Sequence, residues 1–154
     1  MSAYVTVDSL ETIGDRRLYL STTSMCAGYT AECLLSLGRY KTRSDPSSMS
    51  PWIDECKRFI DDFISTLEMK SEAPYAMQRI ANFISAKEGG HVNESISNWK
   101  KTKQAIIGAE KGENIRNIDD VIVFLKRAVD EFSDARKIIS DKINAVSPNS
   151  REHL

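Results

Sequence analysis

The sequence predicts an all-α protein, an antiparallel bundle of five or six helices with a long C-terminal helix as its spine. Three observations predict it. Between Asn117 and Val146, the apolar residues Ile118, Val121, Ile122, Leu125, Ala128, Val129, Phe132, Ala135, Ile138, Ile139, Ile143 and Val146 recur mostly in steps of three and four. That spacing places them along one side of an α-helix. Helix punctuation recurs upstream, as Ser50-Pro51, Pro74, Gly89-Gly90 and Gly112. No stretch alternates apolar and polar residues for long enough to make a strand, and Tyr4 to Val7 is the only candidate.

Residues 1–8 read as an irregular lead-in, with Tyr4, Val5 and Val7 free to dock on the bundle. A first helix begins near Ser9 and draws on Leu10, Ile13, Leu18 and Leu20. The run Ser21-Thr22-Thr23-Ser24 is poor chemistry for a helix interior and good chemistry for a cap, because short hydroxyl side chains compete for backbone groups. It predicts a break, followed by a second helix from Thr23 to Leu37 that Gly38 closes. Residues 38–50, rich in Ser and holding Pro46, form a linker.

Ser50 and Pro51 then start a third helix reaching about Lys70. Trp52, Ile53, Phe59, Ile60, Phe63 and Leu67 face inward. Asp54–Arg58, Lys57–Asp61 and Arg58–Asp62 form pairs one turn apart outside. A fourth helix spans Pro74 to Lys87. A fifth runs from Asn93 or Ser95 to Glu110, with Ile96, Trp99, Ile106 and Ile107 apolar and Gly112 at its close. Asn117 caps the spine, and Asp119 and Asp120 sit at the positive end of its dipole. Pro148 stops it after roughly 40 Å. Residues 147–154 are a frayed tail. The spine's remaining positions carry mixed charge, which suits a helix with one face in the core and the other in water.

With 154 residues and 41% hydrophobic content, the chain can bury one sizeable core, so residues 1–154 are expected to form a single domain. Its 21 basic and 22 acidic residues nearly cancel, which argues against broad polyanion binding while permitting a local basic patch. No apolar run is long enough to span a bilayer, and residues 1–15 lack the apolar core of a secretory signal. The three cysteines have no metal-binding spacing. Cys26 and Cys33 lie two helical turns apart, about 10 Å, too far to bridge. They read as reduced core thiols of a cytoplasmic protein with no membrane partner.

Candidate chemistry is sparse. Only His91 and His153 could titrate near neutrality, which removes most general-base and metal-ligand arrangements. Glu88-Gly89-Gly90-His91 spells the carboxylate–histidine pair of helical-bundle metal sites. That pair must project from one continuous helix, and the two glycines end one instead. Asp54, Glu55, Asp61 and Asp62 each have a basic neighbour at helical spacing and read as a solvated face. No phosphate loop, dinucleotide fingerprint or nucleophile elbow occurs. The expectation is a protein with no catalytic residues, no metal and no cofactor.

Basic residues cluster in two places. Lys100, Lys101, Lys103, Lys111 and Arg116 outweigh the three carboxylates of residues 93–117, and Arg39, Lys41 and Arg43 add charge around Tyr40. These eight are the candidate nucleic-acid contacts, spaced to follow a phosphate backbone. For a protein partner, the last turns of the spine have the least obvious cover, so Ile139, Ile143 and Val146 are the candidate interface.

Two short resemblances point the same way. Ala27-Gly28-Tyr29-Thr30-Ala31-Glu32-Cys33-Leu34-Leu35 resembles a helix of HEPN-type domains, small all-α modules often tied to RNA cleavage or toxin–antitoxin pairs. The family's spaced Arg–His motif is missing from this chain, so the resemblance implies an RNA-directed module without its catalytic pair. Arg116-Asn117-Ile118-Asp119-Asp120, continuing to Lys126-Arg127-Ala128-Val129, resembles the start of an RNA-lining helix in rod-shaped plant virus coat proteins, which implies a nucleocapsid-like subunit. The leading expectation is a non-catalytic helical-bundle protein acting through protein–protein contacts, as an assembly subunit or an adaptor. An RNA-binding module is the alternative.

Overall fold

The computed structural model describes residues 13–70, 77–78, 80–81 and 91–144. Among them are four long helices and no strand. They are α1 (Ile13–Arg43), α2 (Ile53–Leu67), α3 (Val92–Glu110) and α4 (Ile118–Asn144), with a single 3₁₀ turn at Pro46–Ser48. Residues 77–78 and 80–81 are also helical, and Met77, Ile80 and Ala81 are buried in the register expected of the segment after Pro74. The lead-in, the strand candidate at residues 4–7, the rest of the 74–87 helix and the 147–154 tail lie outside the described residues.

The expected count of five or six helices is not met, and the largest departure is in α1. The break anticipated at Ser21–Ser24 does not occur, and Gly38 does not stop the helix. Thr22, Thr23 and Ser24 donate their hydroxyls to the carbonyls of Leu18, Tyr19 and Leu20 at 2.9–3.0 Å. Thr30 and Thr42 do the same to Cys26 and Gly38. A hydroxyl bonded one turn back is satisfied inside the helix, so it no longer competes for the backbone and its methyl face can be buried. α1 therefore extends over 31 residues, into what the sequence reads as linker, and is longer than the 27-residue α4. It ends where Ser44 turns into the left-handed region (φ 50°) and donates its N–H to Tyr40 at 2.7 Å.

Side-chain contacts fix the directions of the helices. Lys41 pairs with Asp119 near one end of α1, and Arg136 donates to Ser24 (2.7 Å) nearer the other, so α1 and α4 run antiparallel. Lys57–Glu110 and Lys103–Asp61, at 2.8 and 2.6 Å, do the same for α2 and α3. The expected pairs one turn apart on α2 are replaced by these contacts and by Lys57–Asp54 and Arg58–Glu55, three residues apart. The basic residues of α2 and the carboxylates of α3 lie close enough to compete.

Aromatic rings hold the middle of the bundle. Phe63 packs edge-on against Trp99 (5.3 Å between centroids) and Phe132 (5.6 Å), while Phe59 stacks on Tyr29 (5.7 Å). Each of the four helices contributes to one core cluster. Of the stripe expected on α4, Val121, Leu125, Ala128, Phe132, Ala135 and Ile139 are buried, while Ile118, Ile122, Val129 and Ile138 are half-buried. Ser50 joins α2 to α1 by accepting from Trp52 N–H at 3.1 Å and donating to Glu32 at 3.0 Å. No helix among the described residues is long and apolar enough to cross a membrane.

Candidate functional site

Two surfaces stand out, and both depend on the ends and outer face of α1. The first is apolar. On α1 the core side is written Tyr19, Thr23, Cys26, Thr30, Cys33 and Leu37, each at most 1% exposed. The opposite side carries Leu18, Met25 and Leu35, exposed at 50, 42 and 50%. Trp52, expected inward, is 60% exposed at the start of α2. With Met25, Tyr29 and Glu32 it surrounds an open hollow of about 320 Å³ over Gly28. A side chain added at Gly28 would meet nothing within 4 Å, so the hollow is not filled from within the chain. Scattered apolar residues are ordinary on a protein surface, but Met25 of α1 and Trp52 before α2 meet around one hollow.

The second surface is a groove of about 680 Å³ between α3 and the loop leading to α4. Gly112 (φ 74°) reverses the chain after α3, and Glu113 N–H returns to Gly108 at 2.9 Å. Ile115 settles against Gly108, where a β-carbon would stand 3.4 Å from it. Tyr40, at the end of α1, donates its hydroxyl to the Glu113 carbonyl at 2.6 Å and pins the loop from the other side. The groove is lined by Lys100, Lys101 and Arg116 against one carboxylate, Glu113.

The eight basic residues singled out by sequence are therefore divided. Lys100, Lys101 and Arg116 come together in the groove. Lys100 also reaches Glu68 at 3.3 Å. Lys41 lines an adjoining concavity that shares Glu113, Asn114 and Ile115 with the groove, and it pairs with Asp119. Lys103 points to α2, where it is paired with Asp61. Arg39, Arg43 and Lys111 are exposed and line neither concavity. Trp99, near the lysines in sequence, is 2% exposed and belongs to the core. Of the candidate protein interface, Ile139 is 2% exposed and part of the core, so it is covered within the chain itself. The side chain of Ile143, and Val146 altogether, lie outside the described residues.

Among the described residues no three His, Cys, Asp or Glu side chains stand close enough to share a metal ion. His91 is exposed just before α3, and Glu88 lies outside the described residues. The cysteines are core groups. Burial pushes the Cys26 thiol up to about 12. Cys33 is raised too, by its hydrogen bond to Cys56 and then by burial. The same hydrogen bond lowers Cys56, whereas Cys26 and Cys33 hold their protons, and a buried thiol that keeps its proton is a poor nucleophile.

Sequence reasoning missed the outer face of α1. The signal was present: apolar residues fall on both sides of residues 18–37, with hydroxyls among them, so the helix has no single stripe. No protein-family model, curated protein or solved structure matches the chain.

Proposed function

We propose that this chain is a non-catalytic interaction module, an assembly subunit or adaptor, that docks a protein partner on the outer face of α1. The observation carrying this reading is the meeting of half-exposed Met25 with Trp52, 60% exposed, around the hollow over Gly28, with Leu18 and Leu35 also half exposed along α1. Apolar area left in water is a standing cost of about 25 cal/mol per Å², recovered when a partner covers it. The hollow over Gly28 offers a concave seat for one inserted side chain, which is how interface anchors bind. The docking face thus moves from the C-terminal turns of the spine to the helix packed against it.

Size-exclusion chromatography with light scattering tests the assembly form. The expected mass is a multiple of 17.3 kDa, returning to 17.3 kDa in the double variant Met25→Glu, Leu35→Glu. A monomer at every concentration, with no gain in solubility from the two charges, would count against self-assembly. The adaptor form is tested by crosslinking from the same face, described below.

A further inference from the structure

We propose that the groove between α3 and the 113–117 loop binds a phosphate monoester carried on a small apolar body. Its walls are built rather than incidental. One is α3, the other a loop held by the Gly112 turn, the Glu113–Gly108 hydrogen bond and the Tyr40 hydroxyl. Cations stand on both walls, Lys100 and Lys101 on the helix and Arg116 on the loop. Against Glu113 the lining keeps a net charge of +2, or +1 once Glu68 beside Lys100 is counted, an excess that suits an anion such as a phosphate monoester.

Lys101 and Arg116 have no ion-pair partner within the described residues, unlike Lys57 and Lys103. Lys100 is paired with Glu68 at 3.3 Å, but an ammonium has three donors and can serve a second acceptor. Arg116 can grip two phosphate oxygens side by side. The groove also ends at Asn117, where the 27-residue α4 begins and its free N–H groups add positive potential. That turn carries Asp119 and Asp120, and Lys41 pairs with the first of them.

The rest of the lining selects the body of the ligand. Ile96, Ala105 and Ile115 give an apolar floor, and Gln104, Asn114 and Asn117 supply amides that donate or accept. A volume of about 680 Å³ falls within the range of small-molecule sites. No aromatic ring lines the groove, so bases of a single strand would have nothing to stack on. That favours a monoester over a polynucleotide.

The test is a titration of the full chain at about pH 7.5, where the ester is a dianion, with phenyl phosphate, inorganic phosphate and oligothymidylate. It is followed by the side-chain amide signals of Gln104, Asn114 and Asn117. Phenyl phosphate should give saturable shifts and bind more tightly than inorganic phosphate. Arg116→Glu and Lys101→Glu, both at exposed positions, should each weaken it by roughly tenfold or more. Arg39→Glu, away from the groove, should leave it unchanged. The proposal is overturned if millimolar phenyl phosphate gives no saturable shift, or if Arg39→Glu weakens binding as much as Arg116→Glu. It is equally overturned if inorganic phosphate binds as tightly as the ester, or if only oligothymidylate saturates the groove.

Discussion

α1 and α4 lie antiparallel against each other, and both bury an apolar side, but α1 adds hydroxyl residues to that side and leaves three large apolar residues half in water where α4 leaves Val123. α4 is amphipathic in the ordinary sense. Leu125, Phe132 and Ala135 are inside, and Lys126, Arg127 and Asp134 are outside. α1 buries Thr23, Thr30 and Ser36 and shows Leu18, Met25 and Leu35 to water. The difference teaches that polarity by residue type is a poor guide when a hydroxyl can be satisfied within its own helix. Once Thr30 donates to Cys26 at 2.7 Å, what it presents to the core is a methyl group. Leu18, Met25 and Leu35 are left half exposed on the same helix.

Substitutions on the two helices should separate sharply. Phe132→Ala on α4 removes a ring that is 1% exposed and packed on both Phe59 and Phe63. It should cost about 3–5 kcal/mol in denaturant unfolding. Met25→Ala and Leu35→Ala on α1 should each cost no more than about 1 kcal/mol, since about half of each residue is already in water. A loss above about 2 kcal/mol at either position would mean the face is already covered, and the contrast between the helices would collapse.

A smaller effect probes the hydroxyls. Thr30→Val keeps the shape and removes the oxygen, while the Cys26 carbonyl retains its place in the helical ladder. The change should move stability by no more than about 1 kcal/mol, in either direction. A cost of several kcal/mol would show that the hydroxyl serves something beyond its own helix.

The smallest effect concerns the ion pairs at the rim of the α2–α3 contact, outside the Phe59, Phe63 and Trp99 rings that join the two helices in the core. The hydrogen bond to Glu110 holds the Lys57 ammonium above its usual range, with Asp54 adding to it. A raised pKa means stability fully present below the unfolded-state value and lost as pH rises through the folded one. Glu110→Gln should therefore cost about 0.5 kcal/mol near neutrality, a gap that starts to close only once pH passes about 10.4. Urea unfolding of both proteins across pH 7–11 reads it, and a gap independent of pH would assign the loss to packing.

How much of this was legible follows the same line. The apolar stripe of α4 and the Gly112 terminus of α3 are readable because helical period and glycine agree, whereas α3 starts without a side-chain cap. Residues 21–24 misled because four hydroxyl residues together resemble a cap, and only the bonds one turn back reveal them as helix interior. Trp52 was placed inward by its register with Ile53 and Cys56. It lies in the turn before α2 begins, where helical periodicity does not yet apply. Of the basic residues, sequence supplied the cluster but not its division. Lys100 and Lys103 look alike in sequence, and only the approach of α2 commits Lys103 to Asp61. The groove needed the loop folded back on Gly108, a contact no periodicity encodes.

The most direct test of the docking face is a photo-crosslinking residue placed at Met25 on α1 and, separately, at Lys126 on α4, both exposed. Each chain is irradiated purified and in cell extract. The account predicts discrete adducts from position 25 that Leu35→Glu suppresses, and none from position 126. Adducts equal at the two positions, or none from position 25 in either setting, would contradict it.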